Sequence, residues 1–468
     1  MRLLLVGDFG GVGLATRPPL KDRRVHRIDV DSLDTVLQRM APGVDLQVGG
    51  QPCRFAPQTL DDFHPDHLVT VLPALVQARS RLLRLQVPAT FAQAAAEMNP
   101  PSGALSAPTS AAALPAAPAA DLLGQLLGGT AKAVAAAAPA TPAQGIDAFV
   151  RGILGAESVA PTPAHQSVYV AAAAAELAAL LRSVLQAPAF RALEAAWRSV
   201  HFLVSRLDLD HTLQLHLLEA SRADLLADIV AAGGRPDQTA LHDLVAHQWC
   251  GPGSGEHCSA VVVLQAWGPG DSDIGLLAAL GSLAAHLGAP LLTGAAPGLE
   301  GDTSGATPAS GPGAGWQALR RSEVAPWIGM VAPRLLLRLP YGKGQEATEQ
   351  PGFEELAAPA DTADLLWGSG ALACALSLGR AFSAAGWALD PATERDIEDL
   401  PAYTCTLPDG ERELQACAER YLSEQDLNRM LDNGLMPLAS HRHRNVATLL
   451  RWQSVAQPPQ GLKGLPGG

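Results

Sequence analysis

The chain of 468 residues is long enough for two or three domains, and 48% hydrophobic residues supply a sizeable core and argue against global disorder. Against 46 Asp and Glu stand 33 Lys and Arg, a net charge of −13. That balance argues against a nucleic-acid binder and against a polybasic membrane anchor, since both need surplus cations.

Met1-Arg2 leads into Leu3-Leu4-Leu5-Val6 and then Gly7-Asp8, too short an apolar run for a secretory leader. The same run, closed by a turn-forming glycine, has the pattern of a buried strand. His26–Val30 alternates polar and apolar, as a half-buried strand does. Asp31 or Ser32 can cap a helix through Leu33, Val36, Leu37 and Met40, stopped by Pro42-Gly43. Leu46–Val48 and Cys53–Phe55 predict a hairpin around Gly49-Gly50. Leu68, Val71, Leu72, Leu75, Ala78, Leu82 and Leu85 predict one amphipathic helix. Residues 1–86 therefore read as an α/β unit.

Residues 87–145 are rich in Ala and Pro, the composition of a semi-extended linker, with one short helix expected at Asp121–Leu127. From 146 to 457 a second α/β region is expected. It opens with helices at Ile146–Leu154, Val168–Gln186 and Phe190–Leu207. Strands and helices then alternate through Thr212–Leu218, Arg222–Val230, Ala260–Trp267, Ile274–Leu287 and Pro290–Thr293. Residues 298–315 predict a surface loop, Val331–Leu339 a strand and Leu365–Phe382 an apolar helix. Glu176 and Arg182 interrupt the alanine run near Ala171, so no membrane span is expected. The Gly/Pro-rich tail, 458–468, is expected to fray.

The residues offer little chemistry. Gly7, Gly10, Gly11 and Gly13 miss the dinucleotide spacing, and Arg17-Pro18-Pro19 prevents the helix that such a site requires. Asp61-Asp62-Phe63-His64-Pro65-Asp66-His67 gathers carboxylates and imidazoles, but proline at a first-turn position and acids before a helix fit helix-start chemistry better than a metal site. Cys250, His257 and Cys258, near His247, lack the paired spacing of structural zinc. His441–Arg444 reads as a solvated basic turn. Neither a nucleophile elbow nor a Walker A loop is present. No catalytic, cofactor-binding or metal residues are assigned, and the six cysteines do not form a disulfide framework.

An ordered series of motifs resembles the two subunits of the type VI secretion contractile sheath. Gly7-Asp8-Phe9-Gly10-Gly11 is similar to the Gly-Asp-Phe-Ser-Gly turn of the small (TssB/VipA) subunit, with one substitution. Arg24–Asp29, Ala41-Pro42, Leu60–Val69 (with Leu60, Asp61, Asp62, Phe63 and Pro65) and Leu72–Leu75 continue that match. Phe190–Val204, containing Leu193, Glu194, Trp197 and Arg198, is similar to a motif of the large (TssC/VipB) subunit. Trp267–Gly270 with Asp273, Ala289-Pro290 and Pro333–Gly342 follow in family order, the last with Pro333, Arg334, Arg338, Pro340, Tyr341 and Gly342. So do Phe353–Glu355, Leu366-Trp367-Gly368, Glu398–Pro401, Leu435–Leu438 and Gln453-Ser454.

The resemblance implies two sheath-type α/β cores joined by the Ala/Pro-rich linker, acting by assembly and not by catalysis. It implies cytoplasmic partners: other sheath subunits, the tube protein, the baseplate and the recycling unfoldase, with no nucleic acid and no membrane insertion. In the family, terminal arms add strands to neighbouring protomers, and this sequence shows no counterpart of them. The expectation is a monomer or small oligomer with unpaired strand edges. A second reading, an accessory that docks on sheath or baseplate and limits assembly, rests on the same feature.

Overall fold

Leu3, Leu4, Leu5 and Val6 are apolar on both strand faces, and a strand so composed has to be covered on both. All four are at most 1% exposed. The computed structural model describes residues 1–11, 17–98, 165–250, 257–300, 313–356, 362–406 and 412–465. In it, β1 (Arg2–Gly7) lies inside a nine-stranded sheet, between β5 (Gln214–Glu219) and β6 (Ala260–Trp267). Both pairings are parallel: Val6 stands opposite Leu218 on one side and Val263 on the other.

Beyond β6 the parallel run continues through β7 (Leu291–Ala295), β8 (Ile328–Ala332) and β14 (Leu435–Ser440). Antiparallel strands close both edges. At one end is β2 (Val25–Ile28) on β5; at the other, β15 (Ala447–Leu449) and β11 (Asp396–Ile397). The first segment therefore does not build its main sheet alone; its strands are completed by strands some 200 residues later.

The chain divides into two compact units, Met1–Leu75 with Ala178–Gly468, and Val76–Leu177. In the first, α1 (Leu33–Met40) ends at Ala41, whose φ is +47°. The hairpin of β3 (Val44–Val48) and β4 (Gln51–Phe55) turns at Gly49-Gly50, whose φ values of +58° and +77° suit glycine. Three helices carry long buried faces: α6 (Pro188–Val204), α8 (Asp271–Leu287) and α10 (Ala371–Ala385). In the second unit, Phe91 meets Tyr169 edge-on with centroids 5.8 Å apart, and Arg81 pairs with Glu176 at 2.8 Å.

Several expectations give way. The helix drawn from Leu68 to Leu85 is two: α2 (Pro65–Val71) and α3 (Pro73–Gln86). Leu72 between them is extended, because the ring of Pro73 disfavours helical geometry in the residue before it. Within the expected linker, α4 (Pro88–Ala96) is helical and buries Phe91, Ala94 and Ala95. The strand drawn over Val331–Leu339 stops at Ala332 and resumes as β9 (Leu335–Leu336), since Pro333 cannot donate to the ladder. The helix drawn from Leu365 starts at Ala371; Trp367-Gly368 is instead a short strand, β10, on β9. The tail is pinned through Lys463, whose N–H donates to Pro326 O at 2.8 Å, and Leu462 is buried. Helix α5 (Gln166–Leu185) is, by length and composition, apolar enough to cross a membrane, contrary to the reading of its charges, although Glu176 is ion-paired and Arg182 donates to Glu354 O. The helices expected at Asp121–Leu127 and Ile146–Leu154, the loop 301–312 and the glycines following Cys250 lie outside the described residues.

Candidate functional site

Helix α6 organises the motif residues. Phe190, Leu193, Trp197, Val200 and Val204 recur every three or four positions, so one face is apolar, and all five are buried. Trp197 is fully buried beneath the turn that ends β1. Its ring meets Phe9 edge-on at 5.8 Å, and its indole N–H donates to Phe9 O at 2.8 Å. Gly7 permits this turn to close: a Cβ there would stand 3.0 Å from the Phe9 ring. Asp8 Oδ1 accepts from Gly11 N–H at 3.2 Å and from Arg17 at 3.0 Å.

Two turns before Trp197, Phe190 joins Phe55 and Phe63 in an aromatic cluster with centroids 5.2–5.5 Å apart. Phe63 is held there by a short turn, Leu60–Phe63, closed by a capping box in which Asp62 accepts from Thr59 N–H at 3.1 Å. Phe63 and Leu68 are fully buried, Leu60 is half-buried and Asp61 is exposed. Pro65 begins α2, as a first-turn proline does. Asp66 reaches across to the segment after Tyr341, accepting from Thr348 and Gln350 side chains at 2.8 Å and from Glu349 N–H at 2.9 Å. Burial pushes its pKa up, but these hydrogen bonds outweigh that and hold it below the ordinary value.

One turn after Phe190, the buried side of α6 also carries charge into the core. Glu194 is fully buried and accepts from Arg198 Nε at 2.7 Å and from Arg338 Nε at 2.7 Å. Arg338 also donates to both oxygens of Glu355, at 2.7 and 2.9 Å, and lies 4.2 Å from the centre of the Tyr341 ring. Tyr341 closes the network, its N–H donating to Glu355 at 2.8 Å and its hydroxyl accepting from Arg198 at 3.0 Å. Burial alone would raise the Glu194 pKa; the two guanidiniums override it and hold it low. Burial pushes Tyr341 up to about 12. Two carboxylates and two guanidiniums thus balance where a lone charge would be untenable.

The remaining motif residues form a neighbouring girdle. Arg334 pairs with Glu419 and lies 6.0 Å from the centre of the Trp367 ring. Trp367 donates to Thr362 O at 2.9 Å. A Cβ on Gly368 would stand 2.7 Å from the Leu337 side chain. Pro333 follows β8, Pro340 precedes Tyr341, and Gly342 lies against Glu354. Glu355 and Asp66 are structural partners that the motifs contained without singling out. Adjacent Glu354-Glu355 carries no local sign of which acid is buried. Cys258 is buried and its thiol pKa is pushed up by desolvation. Among the described residues, no three His, Cys, Asp or Glu side chains are gathered to hold a cation.

Residues 167–456 match the family described as EvpB/VC_A0108, tail sheath N-terminal domain, well over half of the chain. The chain belongs to the VipB tail sheath family. Residues 1–98 match a second family, described as type VI secretion system VipA, VC_A0107 or Hcp2, and that match runs past residue 86 to include α4. A similar curated protein is the type VI secretion system sheath protein TssC1 of Pseudomonas aeruginosa, 28% identical over 308 residues, 62% of this chain. The alignment spans 61% of that relative's length. The fold is α/β, with both sheath-type regions contributing to the large mixed sheet.

Proposed function

We propose that this chain is a structural component of a type VI secretion contractile sheath, uniting small- and large-subunit regions in one polypeptide and acting by assembly, not catalysis. The observation that carries the reading is the position of β1. The small-subunit-like segment lends a central strand to the sheet of the large-subunit-like segment, and the two family matches occur in order along one chain. A covalent link keeps two such segments at high effective concentration, so their pairing does not depend on encounter. The proposed location is the cytoplasm. The proposed partners are further sheath subunits, the tube protein, the baseplate and the recycling unfoldase. The motif residues on α6 and around Arg338 serve this function by fixing the packed core from which an assembly surface is presented.

Negative-stain electron microscopy of the purified chain, alone and mixed with the tube protein and separate sheath subunits, tests the reading. Tubules or rings containing the chain are expected in the mixture. If the chain entered no tubular or ring assembly with any of these partners, the sheath reading would fall.

A further inference from the structure

The turn that follows β1 borders a second feature. A cavity of about 320 Å³ opens beside Gly10, lined by Arg17, Arg24, His26, Arg39 and Glu219, with Asp22 at its exposed rim and Arg23 behind. Two of its arginines already have carboxylate partners. Arg17 stands 3.0 Å from Asp8 Oδ1 and 2.8 Å from Glu219 Oε1. Arg23 is clamped on Asp224 at 2.8 and 2.9 Å. The other two, Arg24 and Arg39, have no carboxylate within ion-pairing distance among the described residues, yet they flank the same wall around His26.

Two further observations point to an occupant. Beyond the ion pair with Arg17 and the nearby Phe9 N–H, the oxygens of the buried Glu219 carboxylate have no further partner among the described residues. Gly10 keeps the space in front of that pair open: a Cβ would stand 3.0 Å from Glu219 Oε1 and 3.1 Å from Arg17 Cζ. In a chain with net charge −13, unpaired guanidiniums facing a concave site are a localised exception.

We propose that this cavity binds a small oxyanion, a phosphate or carboxylate group, held by the guanidiniums of Arg24 and Arg39 and seated against Gly10. Guanidinium forks match the paired oxygens of such groups, and a partly enclosed site screens the contact less than open solvent does. Glu219 does not oppose the anion in mildly acidic solution. Burial pushes its pKa up to about 7, so below that pH it is neutral and carries a proton to donate. Above it, the carboxylate ionises and repels the ligand.

Isothermal titration of the full chain with pyrophosphate and with citrate, in low-salt buffer, tests the site. Saturable binding of at least one is expected, weaker in high salt. Losing charge-assisted contacts should reduce affinity by about tenfold or more in the Arg24→Ala/Arg39→Ala variant. Gly10→Ser should reduce it comparably by filling the cradle, with all the arginines still present. Arg24 and Arg39 are exposed, so the double-alanine variant should keep the wild-type melting transition. Preference for pyrophosphate would assign a phosphate ligand, and preference for citrate a carboxylate. Absence of saturable heat with either probe, or affinity unchanged in both variants, would overturn the proposal. Sheath assembly is not read in this assay, so its failure and that of the assembly role are separable.

Discussion

Two positions on α6, one turn apart, solve the same problem with opposite chemistry. At one, Phe190 meets Phe55 and Phe63, and non-directional burial holds chain segments more than a hundred residues apart. At the other, Glu194 meets Arg338 and Glu355 in a network with fixed partners and short, aimed hydrogen bonds. The aromatic side tolerates substitution in proportion to lost volume. The ionic side tolerates it only when charge is removed in balance, because an isolated buried charge has nowhere to send its field. The first joins α6 to the β4 and Leu60–Phe63 segments by burial; the second joins it to the segment that carries Arg338 and Glu355 by aimed hydrogen bonds.

The largest expected effect is at Arg338. Arg338→Met under-compensates two buried carboxylates, leaving Glu355 without its guanidinium and Glu194 with Arg198 alone, and should destabilise by about 3–5 kcal/mol at neutral pH. The sign with pH separates it from a packing defect. In the wild type Glu194 has a depressed pKa, so its contribution is present above the unfolded-state value and lost as pH falls through the folded one. In the variant the stranded carboxylates gain by protonating, so urea midpoints should recover towards wild type on acidification. A pH-independent loss would reduce the network to ordinary packing. Replacing Glu194, Arg198, Arg338 and Glu355 together by apolar residues of similar volume removes charge in balance and should recover most of the loss.

Phe63→Ala comes next, with about 3–4 kcal/mol lost through transfer and cavity terms and no dependence on pH between about 5 and 8. A loss under about 1 kcal/mol would show that the cluster collapses around the missing ring. Trp197→Phe removes the donor to Phe9 O and some volume, and should cost about 1–3 kcal/mol in the same melts. The smallest pair tests the turn before α2. Asp62→Ala, which opens the capping box, should cost about 0.5–2 kcal/mol, while the exposed Asp61→Ala should stay within about 0.5 kcal/mol. Equal losses at the two would assign the turn to the adjacent acids' shared charge instead of the box.

The sequence by itself determined the local elements and the family. Apolar runs and periodicity carried β1, the β3–β4 hairpin and the buried face of α6, because side-chain period and turn chemistry act between near neighbours. Thr59 and Asp62 sit at capping-box spacing, and the motif series led to both halves of the sheath resemblance, which the family matches to residues 1–98 and 167–456 bear out. Local pattern did not reveal α4, since alanine-rich composition suits a linker as well as a helix that finds something to pack on. Nor did it mark the break at Trp367, where a two-residue strand wins over a helical run by pairing with β9. Two matters belonged to the tertiary structure alone. One is that β1 pairs with β5 and β6; the other is that Glu355, and not its neighbour Glu354, shares Arg338 with Glu194. Each depends on which distant surface is left exposed after everything nearer has paired. That competition is settled by the whole chain's burial and charge balance, and no window of sequence contains it.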